Sequence, residues 1–377
     1  MSAAIECLDR ILAGAGVETV LTTWGRASRY AGSGDRHAVR DLVFDALRCK
    51  RSYAVFGGAE TGRGLILGGL RDAGLDPTLF FTGHGHAPSA VGVDEGGETP
   101  QGTAALDCPE WLAPQLQASL GEDFVPILMA LRKRAPVFLR VNTVKTTAAL
   151  AQSSLQNDGI ETKRHSLSMT ALQVMGGARK IQNSAAYLTG MVELQDVSSQ
   201  AVVDHLPIAS GMRVLDYCAG GGGKTLAMAA RAGITLFAHD ASPGRMRDLQ
   251  GRAARSGASV VITDNPHKTA PYDLILTDVP CSGSGSWRRD PAGKWALTAA
   301  KLTELVALQA HILTKAAPLV APRGVLAYAT CSMLNAENSD QIQAFLVHHP
   351  EWTVQTKRSF TPIDGGDGFF VALLTRV

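Results

Sequence analysis

The sequence predicts a three-part chain, in which an all-helical N-terminal domain and a small α+β subdomain precede a C-terminal α/β domain built on a mostly parallel sheet. Three observations predict it. Before residue 125, apolar side chains recur at helical spacing. At residues 136–143, a run rich in β-branched and aromatic side chains reads as a strand and leads into an Ala/Leu-rich helix. From Gly211 onward, short apolar strands alternate with helices, the rhythm of a doubly wound sheet covered on both faces. A chain of 377 residues is long for one domain, and the boundaries fall at 1–125, 126–200 and 201–377.

Taken in order, residues 3–22 (Ile5, Leu8, Ile11, Leu12, Val20, Leu21) and 38–56 (Val39, Leu42, Val43, Leu47, Val55) read as helices. A break at Gly57 and Gly58 precedes a helical stretch ending near Ala73, and the Gly/Pro/Thr/His-rich run 82–103 reads as loop. A linker helix around 111–131 leads to the strand at 136–143, the helix at 147–157 and a turn at Gly176 and Gly177. The large domain then reads as strands at 213–217, 235–239, 259–263, 272–277 and 324–329, with helices at 225–232, 243–256 and 298–317. No solenoid repeat interrupts it.

With 45% hydrophobic and 19% charged residues, the chain can bury real cores, which excludes extensive disorder. Its six cysteines form no Cys-x-x-Cys pair, so neither a disulfide framework nor a metal site is expected, and a reducing cytoplasm fits. No uncharged run is long enough to span a membrane, and the N-terminus lacks the cationic start of a signal peptide, so no membrane partner is expected. The net charge of +2 hides an asymmetry: 10 basic against 16 acidic residues over 1–125, 9 against 4 over 126–200, and 17 against 14 over 201–377. The basic middle segment suits phosphates. Arg26, Arg29, Arg36, Arg40, Arg48, Lys50 and Arg51 cluster in the acidic part and either face phosphates or form a solvated helix surface.

Ligands of a doubly wound sheet sit beyond the C-terminal ends of its strands. After the first strand comes Asp216-Tyr-Cys218-Ala219-Gly220-Gly221-Gly222-Gly223-Lys224-Thr225. Four glycines let the backbone turn sharply against a ligand and deliver a helix start that favours an anionic group. Cys218 stands where a P-loop needs glycine, and Thr225 where Gly-x-Gly-x-x-Gly needs its last glycine, so neither motif fits fully. Asp240 closes the next strand, where a carboxylate can accept from ribose hydroxyls, and Asp264 closes the third, near an adenine edge. Two thiols follow at strand ends, in Asp278-Val-Pro280-Cys281-Ser-Gly283 and in Thr330-Cys331-Ser332. A lone cysteine there is usually a small buried hydrophobe, but two at one rim indicate thiolate chemistry.

Through these motifs, in this order, residues 130–377 resemble the Sun/RsmB-type family of RNA cytosine-5 methyltransferases. Arg140-Val-Asn142, Gln195-Asp-Val-Ser-Ser-Gln200, Trp287-Arg288-Arg289-Asp-Pro291 with Lys294-Trp295, and Asp367-Gly-Phe-Phe-Val-Ala372 add to the likeness. One departure is Gly221, where the family usually has proline. Residues 1–60 resemble, more weakly, the NusB-like RNA-binding module often fused to this family.

The resemblance implies a Rossmann-like class I methyltransferase domain that binds S-adenosyl-L-methionine through Cys218, Ala219, Gly220, Gly221, Gly222, Gly223, Lys224, Asp240, Asp264 and Asp278. Carbon 5 of cytosine is a poor nucleophile until a thiolate adds to carbon 6, and elimination must then release the thiol. Residue chemistry alone leaves open which cysteine attacks; the resemblance implies Cys331 as nucleophile and Cys281 as the release cysteine. Asp278 would hydrogen-bond the base or cofactor, and Lys224 would stabilise the activated base. Arg140, Arg288 and Arg289 are expected to hold RNA phosphates around a flipped or single-stranded cytosine. A monomer acting on small-subunit ribosomal RNA is expected. The alternatives are a transfer-RNA methyltransferase of the same chemistry and a non-catalytic ribosome-assembly RNA-binding protein.

Overall fold

Eleven strands in two sheets carry the described chain from residue 135 onward, and helices carry what precedes it; the computed structural model describes residues 1–376. By packing, residues 1–134 and 287–297 form one unit, and the rest of the described chain forms a second. The division therefore differs from the three domains expected: the α+β segment packs with the large sheet, and 287–297 belongs with the helices. Val377, the last residue of the segment 201–377, lies outside the described residues.

In the helical unit, helices Ser2–Leu12, Val17–Ala27, Ser33–Arg48, Lys50–Gly57 and Gly62–Asp72 enclose Leu8, Val20, Val43, Leu65, Leu67 and Phe81. The helix expected at 3–22 is two, because the chain turns through Gly14 at φ 101°, a conformation open to glycine. The helix expected at 38–56 likewise breaks at Cys49. Apolar spacing continues across both breaks, so periodicity alone misses them. Segment 287–297 satisfies the end of helix Ser33–Arg48: Lys294 Nζ donates to the Arg48 carbonyl at 2.9 Å and Trp295 Nε1 to the Leu47 carbonyl at 2.7 Å.

In the second unit, β1 (Phe138–Val141), β2 (Glu161–Arg164), β3 (Ala171–Gly176) and β4 (Val192–Leu194) form an antiparallel sheet in the order β2-β3-β1-β4. Helix Ala148–Asn157, capped by Thr147, buries Ala151 and Leu155 against Leu139, Val141, Leu172 and Val192. The large sheet contains β5 (Arg213–Asp216), β6 (Thr235–Ala238), β7 (Val261–Ile262), β8 (Tyr272–Asp278), β9 (Val320–Thr330), β10 (Trp352–Phe360) and β11 (Phe369–Arg376), in the order β10-β11-β9-β8-β5-β6-β7. The five strands from β9 to β7 are parallel, while β11 pairs antiparallel with both β9 and β10, so that β11 alone runs against the others. Successive residues alternate between two cores, Leu215, Ile275 and Leu326 on one face and Val214, Leu274, Leu276 and Ala327 on the other. Because β5, β8 and β9 are parallel neighbours, their C-terminal residues Asp216, Asp278 and Thr330 emerge at one edge.

Candidate active site

A cleft of about 560 Å3 opens at that edge, within the usual range for small-molecule sites. Cys218, Ala219, Gly220, Gly221, Gly223 and Lys224 of the glycine loop line it, with Asp278, Cys281 and Cys331 from the ends of β8 and β9. The structure thus gathers most of the residues singled out in the sequence. It adds Asp216, Gln195, Ser199, Arg245 and Phe369. Of these, Asp216, Gln195, Ser199 and Phe369 stand inside motifs already conspicuous in the sequence, and Arg245 does not.

The loop owes its shape to its glycines. Gly220 and Gly222 have φ of 51° and 82°, and a Cβ on Gly222 would lie 2.2 Å from Leu249 Cδ1. Asp240, 4% exposed, braces the loop from behind: its Oδ2 accepts from the Gly220 amide at 2.9 Å and its Oδ1 from the Ser242 amide at 2.8 Å. Arg245 Nη1 stands 3.3 Å from the same carboxylate. Asp240 and Gly222 do not line the cleft, and Asp264 is exposed beyond β7, outside it as well. Asp264 follows the last residue of β7, Ile262, with buried Thr263 between them.

Electrostatics at the cleft floor are set by burial. Asp216, 1% exposed, accepts from Thr225 Oγ1 at 2.6 Å through Oδ2, while its buried Oδ1 has no hydrogen-bond partner. Burial raises its carboxyl to about 7. Lys224 Nζ pairs with Asp278 Oδ2 at 2.7 Å and lies 4.6 Å from the Phe369 ring centroid. Burial opposes its charge, but Asp278 outweighs this and holds the amine above its ordinary value. Burial, with Asp216 and Asp278 nearby, pushes the Cys218 thiol up, leaving it protonated.

The two motif thiols meet, with Cys281 Sγ 3.3 Å from Cys331 Sγ. Cys331 is lowered by a hydrogen bond from Cys281, with help from the Lys224 charge, and Cys281 is raised in return. Of the two, Cys331 is thus the readier to give up its proton and Cys281 the one that holds its own. Beneath both turns lies Glu337, fully buried, whose carboxylate accepts from Ser282 and Ser332. Nothing local in the sequence marks it.

The arginines expected at RNA phosphates are placed differently. Arg140 is 4% exposed, donating to Gln195 Oε1 at 2.6 Å and to the Gly223 carbonyl at 2.8 Å, so its guanidinium secures the glycine loop. Arg288 is 4% exposed in the helical unit, where its carbonyl accepts from Arg48 Nε at 2.7 Å. A buried guanidinium cannot meet a phosphate without unpacking, so both expectations are corrected. Arg289 is exposed.

A family model described as 16S rRNA methyltransferase RsmB/F matches residues 204–375, and one described as the RsmF/B-like methyltransferase ferredoxin-like domain matches residues 108–179. The ribosomal RNA small subunit methyltransferase B of Photorhabdus laumondii is 31% identical over 284 residues, covering 71% of this chain and 66% of that protein. The protein of the same name from an Enterobacter species is 32% identical over 286 residues, with the same coverage. The chain therefore spans about 66% of the length of the curated relatives it matches. In fold it is similar to the crystal structure of PH0851, with a TM-score of 0.78 at 23% identity over 99% of this chain and 98% of that one. A methyltransferase homolog protein from Pyrococcus horikoshii is also similar, with a TM-score of 0.64 at 24% identity over 73% of this chain and 97% of that one. The chain belongs to the RsmB/F family of 16S rRNA methyltransferases.

Proposed function

We propose that this protein methylates carbon 5 of a cytosine in small-subunit ribosomal RNA, taking the methyl group from S-adenosylmethionine and activating the base by a covalent bond to Cys331. The observation that carries this reading is the pair of thiols 3.3 Å apart at the cleft, one lowered and one raised, beside Lys224 and Asp278. Methylation of an amine or amide requires no covalent adduct and leaves such a pair without a task.

The cleft suits a cationic cofactor. Asp216 and Asp278 supply carboxylates, Asp216 Oδ1 is buried without a partner, and the glycine loop brings backbone close to the space between them. When bound, S-adenosylmethionine supplies an electrophilic methyl group. Cys218, Ala219, Gly220, Gly221, Gly223 and Lys224 would hold it, with Asp240 and Arg140 keeping the loop in shape.

The Cys331 thiolate adds to carbon 6 of the base, which makes carbon 5 nucleophilic. Asp278 and Lys224, already paired, would offer a hydrogen-bond partner and a positive charge to the ring edge where charge develops. After methyl transfer the carbon 5 proton leaves and Cys331 is expelled, and Cys281 stands next to Cys331 to assist that elimination. Exposed Lys163, Arg164, Arg179 and Lys180 supply the phosphate contacts that Arg140 and Arg288 cannot, and the helical region 1–125 acts as a further RNA-binding module.

Single substitutions of the two cysteines test the scheme. Cys331→Ala should abolish both methylation and any covalent RNA adduct. Cys281→Ala should attack, transfer methyl and stall, accumulating a protein–RNA conjugate that survives a denaturing gel. A conjugate seen only with Cys331→Ala would reverse the roles. Full activity without conjugate in both mutants would refute covalent catalysis. Absence of S-adenosylmethionine binding by calorimetry would favour a non-catalytic assembly protein.

A further inference from the structure

We infer that Glu337 is the positioning residue that sets the spacing of the two thiols, its carboxylate fastening together the turns that carry Cys281 and Cys331. The inference deepens the two-thiol reading and rests on it. Glu337 closes the short 3-10 turn Asn335–Glu337, is wholly buried, and does not line the cleft, so it acts on the reaction through other residues. Its Oε1 accepts from the Ser282 amide at 2.8 Å and from Gln309 Nε2 at 2.9 Å. Its Oε2 accepts from the hydroxyls of Ser282 and Ser332, both at 2.5 Å. Ser282 and Ser332 are the residues immediately after Cys281 and Cys331, so one carboxylate grips both turns one residue beyond the sulfurs.

The surrounding hydrogen bonds serve the same end. Gln309 Nε2 also donates to the Pro280 carbonyl at 2.9 Å, on the other side of Cys281. Asn338 Nδ2 donates to the Ser332 carbonyl at 2.9 Å and its Oδ1 accepts from Thr330 Oγ1 at 2.6 Å, so Cys331 is held on both sides. The Tyr328 hydroxyl donates to the Glu337 carbonyl at 2.6 Å and anchors the backbone that presents the carboxylate. A buried carboxylate is costly unless its oxygens are fully engaged, and here four donors engage them, all on the two thiol turns or on the glutamine that braces one of them. The Cys281 thiol is raised by its hydrogen bond with Cys331 and by burial, and the Glu337 carboxylate adds to that direction.

The test uses the full chain carrying Glu337→Gln, Glu337→Ala or Ser332→Ala. Diamide, a thiol oxidant that takes up the two thiol hydrogens as a disulfide forms, reads the Cys281 to Cys331 spacing by peptide mass mapping. This readout is independent of methylation. Steady-state methylation of an unmodified 16S rRNA transcript gives kcat and KM separately. Bridging should slow several-fold in Glu337→Ala, with kcat falling on the order of 100-fold while KM for S-adenosylmethionine holds, because misplaced reacting groups cost turnover rather than cofactor binding. Glu337→Gln, whose amide still reaches both hydroxyls, should recover part of both losses. Ser332→Ala, which removes one arm of the clasp, should fall between wild type and Glu337→Ala, and decides the matter should Glu337→Ala fail to fold. Unchanged bridging in a folded Glu337→Ala or in Ser332→Ala overturns the inference, whatever the activity. Slowed bridging with methyl transfer intact would instead overturn the two-thiol reading beneath it.

Discussion

Asp216 combines two properties at one residue: a carboxyl raised to about 7 by burial and an oxygen without a hydrogen-bond partner. The native state keeps a proton that the unfolded chain, with an ordinary aspartate near 3.8, releases earlier. Folding stability attributable to this group is therefore full below about pH 4, is lost as pH rises toward about 7, and is level above that. Thr225 and Lys224 favour its charged form, and Asp278 and Asp240 oppose it. Asp216→Asn removes the titration but keeps the acceptor for Thr225. Measured by urea unfolding of the apoprotein, Asp216→Asn should match wild type near the bottom of the window and exceed it by a few kcal/mol at neutral pH. A difference that stays flat with pH would mean that Asp216 titrates as an ordinary surface carboxylate.

At the scale of the element, the glycine loop between β5 and helix Gly223–Ala229 is shaped by its own dihedrals and held by its neighbours. At Gly221 φ is not in the left-handed region, and its carbonyl accepts from Arg252, which is fixed in turn by Glu193 Oε2 at 2.9 Å. Arg255 pairs with the same Glu193. This strap restrains the position where the family usually has proline. A Cβ on Gly221 would meet Arg252 Nη1 at 3.4 Å, an ordinary approach, whereas one on Gly222 would strike buried Leu249 from a backbone with positive φ. Gly222→Ala should therefore cost about 1–3 kcal/mol of stability, and Gly221→Ala less than about 0.5 kcal/mol. Denaturant midpoints compare them directly; equal costs would show that the loop is not held as described.

Across the whole molecule, charge is distributed unevenly, and the basic excess over 126–200 reaches solvent through Lys163, Arg164, Arg179 and Lys180 on and beside β2 and β3. If these meet RNA phosphates, affinity should fall steeply with salt. Lys163→Ala with Arg164→Ala should lower the log–log slope by up to about 0.7–0.9 for each phosphate left unneutralised. Arg140→Ala should leave the slope unchanged and weaken cofactor binding, since its guanidinium is spent on Gln195 and the Gly223 carbonyl. Filter binding over a salt series distinguishes the two, and a slope that responds to Arg140 but not to Lys163 and Arg164 would invert the assignment.

The alternation of strands and helices after Gly211 is legible in the residues alone, and with it the edge where chemistry gathers, because parallel strands must all end on the same side. Both thiols at strand ends and the glycines in the first turn are equally legible, since those features are local. Strands β10 and β11 are not: β10 exposes most of its length, and its partner lies across a turn that leaves no alternating apolar pattern. Packing in three dimensions settles that the thiols meet at 3.3 Å, that Arg140 and Arg288 are internal, and that Glu337 lies beneath both cysteines. Each of these depends on burial and on partners distant in the chain. Residue type and spacing identify which groups can do chemistry, but packing removes the water, and the loss of water decides where a proton rests and which charges remain available to a ligand.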